Sequence, residues 1–226
     1  MNNYLIKIEY DGTNFVGWQF QKNGISVQEI IEKKLQKILR TKIKLIGSGR
    51  TDKGVHARAQ FANFKIEKKI INDKKFLDSL NFFLKNYLIS ITDIKKKKLE
   101  FNSRFSAKER TYEYKIINRL GSLSLDKNRA WHVKTKLNIS LFKKGAKVLV
   151  GTHDFSTFRS SSCSANSPIK KMNSVRVKKK GDEIIIIFKS QSFLQNQVRS
   201  MVGSLKYLST NKWNLEKFKK IFKSKN

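Results

Sequence analysis

Residues 47–56 read Gly-Ser-Gly-Arg-Thr-Asp-Lys-Gly-Val-His, and they set one acid, Asp52, between Arg50 and Lys53 on a glycine-rich turn. Glycine tolerates backbone angles that other residues avoid, so Gly47, Gly49 and Gly54 let this segment fold tightly and bring main chain close to a ligand. The neighbouring cations favour the ionised form of the Asp52 carboxyl group. A permanently charged carboxylate suits a nucleophile better than a proton donor. The plainer explanation is an Asp that caps a turn beside an ion pair.

Two familiar glycine-loop chemistries fail on spacing. A dinucleotide fingerprint that starts at Gly47 and Gly49 needs a third glycine at position 52, which is the acid. A phosphate-binding loop from Gly49 to Gly54 needs lysine next and finds Val55.

The chain of 226 residues is long enough to bury a real core in one large or two small domains. Its one cysteine, Cys163, cannot pair internally. Together with His56, His132 and His153 it shows none of the close spacings of zinc ligands. Each histidine reads most simply as a hydrogen-bonded structural residue. The N-terminal segment is too charged for a signal-peptide core, and the apolar run at 184–188 is too short to cross a bilayer. Cytoplasmic residence and no membrane contact follow by default. No basic amphipathic helix with an aromatic face is evident from the sequence.

Forty-nine Lys and Arg against seventeen Asp and Glu leave a formal charge of +32, for which phosphate backbones are the usual partner. Part of that excess reflects a general abundance of Lys, Ile and Asn, and the runs at 95–98 and 178–180 read as solvated strand ends or turns.

The elements that must position Asp52 follow from periodicity. Residues 4–10 alternate as a strand. Ser26 and Glu29 form a capping box, ahead of a helical stripe of Val27, Ile30, Ile31, Leu35, Ile38 and Leu39 that ends near Arg40. After the glycine loop, Val55, Ala57, Ala59 and Phe61 alternate with His56, Arg58, Gln60 and Ala62 as a half-buried strand. A helix over 76–87 and a strand from Leu88 towards Phe101 complete strand, helix, strand, strand, helix, strand. The order returns with a strand at 111–117, a helix at 137–150, a hairpin of 174–179 and 183–189, and a helix at 193–208; a further helix is expected at 215–223. The sequence therefore predicts an α+β fold of two similar halves sharing one continuous, mostly antiparallel sheet, with the site in the cleft between them.

Four further segments carry polar and aromatic residues that a plain core does not need. The stretch from Tyr10 through Trp18 to Gln21 mixes glycines, aromatics and amides, which suits base stacking and backbone binding, or simply a hairpin with a packed Trp18. Around Arg104 and Arg110, strand alternation puts Tyr112 and Tyr114 on one face. Residues 151–159 read as a second ligand-facing loop or a helix end and turn. In residues 193–203, Arg199 stands beside an apolar helical stripe, where a cation is costly unless paired, and Asp52 is the partner expected.

These five segments, in this order over nearly the whole chain, resemble the TruA family of tRNA pseudouridine synthases, and the stretch from Gly47 to Ala57 is highly specific to it. The resemblance implies ferredoxin-like halves, residues 1–104 and 105–226. It also implies a homodimer that isomerises uridine to pseudouridine on the 3′ side of the tRNA anticodon stem-loop, without metal or organic cofactor. Asp52 would be the nucleophile, Tyr112 the tyrosine that stacks on the target base, Arg50 the residue that helps displace it and Arg199 the counter-ion of Asp52. Lys53, His56, Arg58 and Arg104 join Tyr112 as expected substrate-binding residues. Relatives continue past residue 226 into a last strand that this chain is expected to lack. A tRNA-binding protein of the same fold with impaired catalysis is therefore the alternative, and a plain polycation the third reading.

Overall fold

A computed structural model describes residues 1–224; the lysine-rich tail expected up to Asn226 lies, in its last two positions, outside the described residues. The chain forms two compact units, Met1–Ala107 and Lys108–Asn226, each with its own apolar core. The strands pair in two sheets, one within each unit, where the sequence led us to expect one continuous sheet.

The first unit runs β1 (Asn2–Tyr10), α1 (Val27–Leu39), β2 (Ile46–Gly47), β3 (Ala57–Ile66), α2 (Asp73–Leu84) and β4 (Ile89–Lys97), followed by the short α3 (Ser103–Ser106). The sheet order is β2-β3-β1-β4 with every pairing antiparallel, so β3 lies between β1 and β2 in a split β-α-β arrangement. Alternation in β1 buries Tyr4, Ile6, Ile8 and Tyr10 against the α1 residues Val27, Ile30, Ile31 and Leu35 and the α2 residues Phe76, Leu80 and Leu84. Each such aliphatic side chain, fully buried, contributes about 1.5–3 kcal/mol. Helix α1 starts where the capping residues require, with Ser26 Oγ accepting from the Glu29 amide at 3.2 Å, while the Glu29 carboxylate turns outward to Lys33 Nζ at 2.7 Å. It ends at Arg40, whose left-handed backbone (φ 54°) lets its amide close on the Gln36 carbonyl.

Strand β3 corrects the sequence reading. Ala59 and Phe61 are exposed, and the buried face is Gln60, Ala62, Phe64 and Ile66. The phase is set further along, where β3 pairs with β1 and Phe64 lies opposite Tyr4.

A polar network that periodicity cannot reveal locks the far edge of this unit. Asn63, fully buried, donates to Asn3 Oδ1 and accepts from the Ser103 amide, both at 2.9 Å. Asn3 in turn donates to the carbonyls of Lys98 and Phe101 at 2.9 Å, and the Ser103 hydroxyl donates to the Ile46 carbonyl. The network fixes α3, and therefore Arg104, against β2 and β3.

The second unit contains β5 (Arg110–Asn118), β6 (Trp131–Val133), α4 (Ile139–Val148), β7 (Gly151–Asp154), β8 (Ile169–Lys180), β9 (Glu183–Ser190), α5 (Gln197–Ser209) and α6 (Leu215–Ser224). Its sheet order is β6-β5-β9-β8-β7, antiparallel except for the parallel pair β5 and β6. Ile184, Ile186 and Phe188 of β9 point into a core with Phe142 of α4 and Met201, Val202 and Leu205 of α5.

Three further expectations change here. Helix α5 begins four residues later than its apolar spacing suggests, because Asn196 takes a left-handed backbone (φ 61°) and the Gln197 side chain accepts the Leu194 amide at 2.8 Å. Residues 151–154 are an edge strand paired with β8, and Phe155 and Phe158 are core residues, so the segment is a strand and a core-packed turn where a loop or helix end was expected. Helix α6 is basic and amphipathic with an aromatic face after all, but that face, Phe218 and Phe222, is packed into the core. Among the described residues no helix is long and apolar enough to cross a membrane.

Replacing Asn63 with Ala orphans the Ser103 amide and the Asn3 side-chain oxygen Oδ1. Urea denaturation should register a loss of about 3 kcal/mol, since each unsatisfied buried group costs about 1–3 kcal/mol, and an unchanged midpoint would refute the network's structural role.

Candidate active site

Residues 48–56 connect β2 to β3 and are longer than the usual two- to five-residue hairpin turn, so the loop needs support from outside itself. Residues 10–18 supply it. The Trp18 amide donates to the Thr51 carbonyl at 3.0 Å, the Tyr10 hydroxyl meets Thr51 Oγ1 at 2.8 Å, and the Gly54 amide donates to the Phe15 carbonyl at 3.4 Å. At the β2 end, Gln60 Nε2 donates to the Gly49 carbonyl at 2.7 Å and its Oε1 accepts from the Ser48 hydroxyl at 2.8 Å. Gln60 is buried on the core side of β3 and acts as a stay for the loop.

Two glycines make this contact possible. A Cβ on Gly12 would stand 2.1 Å from the Val55 carbonyl oxygen, and one on Gly17 would stand 2.7 Å from the Thr51 carbonyl oxygen, at a φ of +128° that side-chain-bearing residues avoid. The opposing atoms are backbone in both cases, so nothing flexible can yield. Trp18 covers Gly47 from the other side, its Nε1 lying where a Cβ would approach to 2.5 Å.

Asp52 sits in the middle of this frame, half-buried, with its carbonyl accepting the Val55 amide at 3.2 Å. Among the described residues of Met1–Ala107, none closes a hydrogen bond or ion pair on its carboxylate, and Arg50 and Lys53 project exposed on either side. The clasp therefore holds the backbone around the acid and leaves the acid itself available.

The other expected site residues of this unit are dispersed around the loop. Arg58 is exposed on β3, and Arg104 is exposed on α3, its guanidinium 5.6 Å from the Phe105 ring centre. His56 belongs to the frame: its Nδ1 accepts the Gly12 amide at 3.1 Å and lies 3.2 Å from Asp11 Oδ1. The Gly12 bond requires an unprotonated Nδ1, which in that state cannot also donate to Asp11. Asp11 Oδ1 already accepts from the Thr13 amide at 3.0 Å and the Thr13 hydroxyl at 2.6 Å. The aromatic residues of 10–18, read from sequence as candidate base-stacking groups, are instead core: Tyr10, Phe15 and Trp18 are all buried.

In the second unit Tyr112 and Tyr114 share one face of β5. Tyr112 meets the edge of Phe193 at 4.9 Å between ring centres, and Tyr114 meets Trp131 at 6.4 Å. Arg199 is exposed on α5. Burial pushes the Tyr114 phenol above its ordinary range, and the charge of Arg199 partly opposes that shift. Tyr112 and Arg199 are thus carried on adjoining elements of one core, β5 and α5.

Sequence reasoning missed Tyr10, Thr51 and Gln60 as supports of the site. The available signal was the glycine spacing at 12 and 17, which marks close backbone approach but does not say to what.

Two outcomes test this geometry. Gly17→Ala should lose stability and distort the loop, lowering the melting temperature by several degrees, since a strained backbone position costs about 1–3 kcal/mol. Arg199→Gln should raise the Tyr114 ionisation further, visible as a later rise in tyrosinate absorbance. Because the folded value of Tyr114 is raised, its contribution to stability is intact below the ordinary tyrosine value of about 10 and is lost as pH rises through the folded value.

Against this geometry, comparisons with known proteins are unambiguous. A family model described as tRNA pseudouridine synthase matches residues 6–106 and 146–226. The tRNA pseudouridine synthase A of Pelagibacter ubique is 58% identical over 225 residues, covering 100% of this chain and 92% of that protein. The enzyme of the same name from Parvibaculum lavamentivorans is 40% identical, covering 100% of this chain and 91% of that protein. The Thermoanaerobacter pseudethanolicus protein of that name is also 40% identical over 225 residues. With its glycine-framed Asp loop inside the first matched stretch and α5 inside the second, this chain belongs to the tRNA pseudouridine synthase family.

Proposed function

We propose that this protein isomerises uridine to pseudouridine in the anticodon stem-loop of tRNA, with the Asp52 carboxylate as nucleophile. The observation that carries the reading is the half-buried carboxylate, clasped through its backbone and left without an ion pair by the flanking cations of its own unit. The reaction breaks the N1–C1′ bond, turns the uracil and forms a C5–C1′ bond, after which the C5 proton is lost and N1 is protonated. Such a sequence needs a group that bonds transiently to the sugar or the ring and then leaves, which an ionised carboxylate can do at either place.

The base must leave its stack to be reached, and unstacking costs a few kcal/mol that protein contacts have to offset. In this proposal Arg50 helps displace the base, Tyr112 stacks on it, Arg199 balances the carboxylate, and Lys53, His56, Arg58 and Arg104 bind the RNA. His56 would do so through the turn at Gly12 that it supports. The resemblance of both units to ferredoxin-like halves, residence in the cytoplasm and assembly as a homodimer belong to the same reading, which rests on the family and on tRNA as the substrate. The net charge of +32 supports RNA as the partner, since cations position phosphates without reading sequence.

Unmodified tRNA treated with the purified protein should gain pseudouridine in the anticodon arm, mapped by chemical modification and primer extension. Asp52→Asn should abolish that gain while tRNA affinity stays within about threefold, because an isosteric change at one half-buried carboxyl group leaves the phosphate contacts in place. Product formed at the normal rate by Asp52→Asn would overturn the nucleophile. Absence of product from the intact protein would favour a binding protein, and equal affinity for unrelated RNA a plain polycation.

A further inference from the structure

The loop that carries Asp52 is held at its β2 end through Ser48 and, next to the acid, through Thr51, the immediate predecessor of Asp52. Thr51 is gripped by its main chain and its side chain at once: the Trp18 amide donates to its carbonyl at 3.0 Å, and the Tyr10 hydroxyl meets its Oγ1 at 2.8 Å. Both gripping residues are buried. Tyr10 is 3% exposed at the end of β1 and Trp18 is 2% exposed, and their rings lie against each other at 6.2 Å between centres. Tyr10 marks a break in strand register, opposite Ala57 where β3 begins, so its hydroxyl is delivered to the base of the loop from the rigid sheet. Trp18 is fixed in turn by the start of α1, whose Gln28 amide donates to the Trp18 carbonyl at 3.0 Å.

A tyrosine at this place has no need of a hydroxyl for packing. Its ring fills the core as phenylalanine would, and a buried phenol is tolerated only where it finds a partner. The partner it finds is the side chain of the residue next to the acid. Fixing Thr51 at both its ends fixes the peptide that leads into Asp52 and hence the direction in which the carboxylate leaves the backbone.

We propose that Tyr10 is a positioning residue for the isomerisation, acting through Thr51 to aim the Asp52 carboxylate at the uridine. The proposal rests on Asp52 as nucleophile. Misplacement by about 1 Å can cost about 100-fold in a reaction that depends on alignment, whereas binding through scattered phosphate contacts is indifferent to it. The signature of positioning is therefore a loss confined to the chemical step.

The experiment compares single-turnover pseudouridine formation and tRNA dissociation constants for Tyr10→Phe, Thr51→Val, Thr51→Ser and the Tyr10→Phe/Thr51→Val double variant, with Asp52→Asn alongside. Tyr10→Phe and Thr51→Val should each slow the chemical step by about 10- to 100-fold with affinity unchanged. Thr51→Ser, which keeps the hydroxyl, should retain most of the rate. The double variant should be no slower than the worse single variant, because both remove the same contact. A rate for Tyr10→Phe equal to the unaltered protein's, a parallel loss of affinity, or losses that multiply in the double variant would each overturn the proposal. If Thr51→Val fails to fold, Tyr10→Phe against Thr51→Ser still decides it, with circular dichroism confirming that both are folded. An active Asp52→Asn would instead remove the nucleophile on which the proposal stands, and is read separately.

Discussion

The hydrogen bond from the Trp18 amide to the Thr51 carbonyl is the contact on which the site depends. It joins two loops that are far apart in sequence, and the joining is backbone to backbone, so it demands that no side chain intervene. Gly12 and Gly17 satisfy that demand on one side of the contact. The same segment is anchored to helix α1, whose first amides, those of Val27 and Gln28, donate to the carbonyls of Gly17 and Trp18. A helix start must find acceptors for such amides, and here it finds them in the segment that holds the Asp52 loop. Strand β1, helix α1 and the Asp52 loop thus form one mechanical unit.

The use of neutral backbone groups suits a chain with a net charge of +32. Holding the loop through amides, a phenol and a glutamine leaves Arg50 and Lys53 exposed beside the acid, where they can meet phosphates or a displaced base. Further cations lie along β8 and on the outer surfaces of α4 and α6, on residues that contribute nothing to either core. Their attraction for RNA is long in range and indifferent to sequence, and it falls steeply with salt.

Most of the scaffold was legible in the sequence because it follows from burial. The alternation of Tyr4, Ile6, Ile8 and Tyr10 gave β1, and the stripe from Val27 to Leu35 gave α1, including the Ser26 cap. What failed did so where tertiary contacts outweigh local pattern. In β3 the apolar residues Ala59 and Phe61 face outward because register with β1 commits Phe64 and Ala62 to the core. Residues 151–158 look polar enough for a binding loop, yet the edge of a sheet and two buried phenylalanines claim them. At the candidate site, the glycine-rich setting of Asp52 was visible in the sequence. The contact of Tyr10 with Thr51 was not, since a tyrosine that ends a strand reads as core whether or not its hydroxyl reaches a loop residue 41 positions away.

The account reduces to the position of one carboxylate set by a backbone clasp, and the most direct measurement is the single-turnover rate of Asp52→Glu on tRNA. That variant keeps the charge and the chemistry but moves the oxygens outward by one methylene. The account predicts a folded protein with unchanged tRNA affinity and a rate reduced about 100-fold or more, as expected when reacting atoms are displaced by about 1 Å. A rate close to that of the unaltered protein would contradict it, because the clasp would then be positioning nothing that matters.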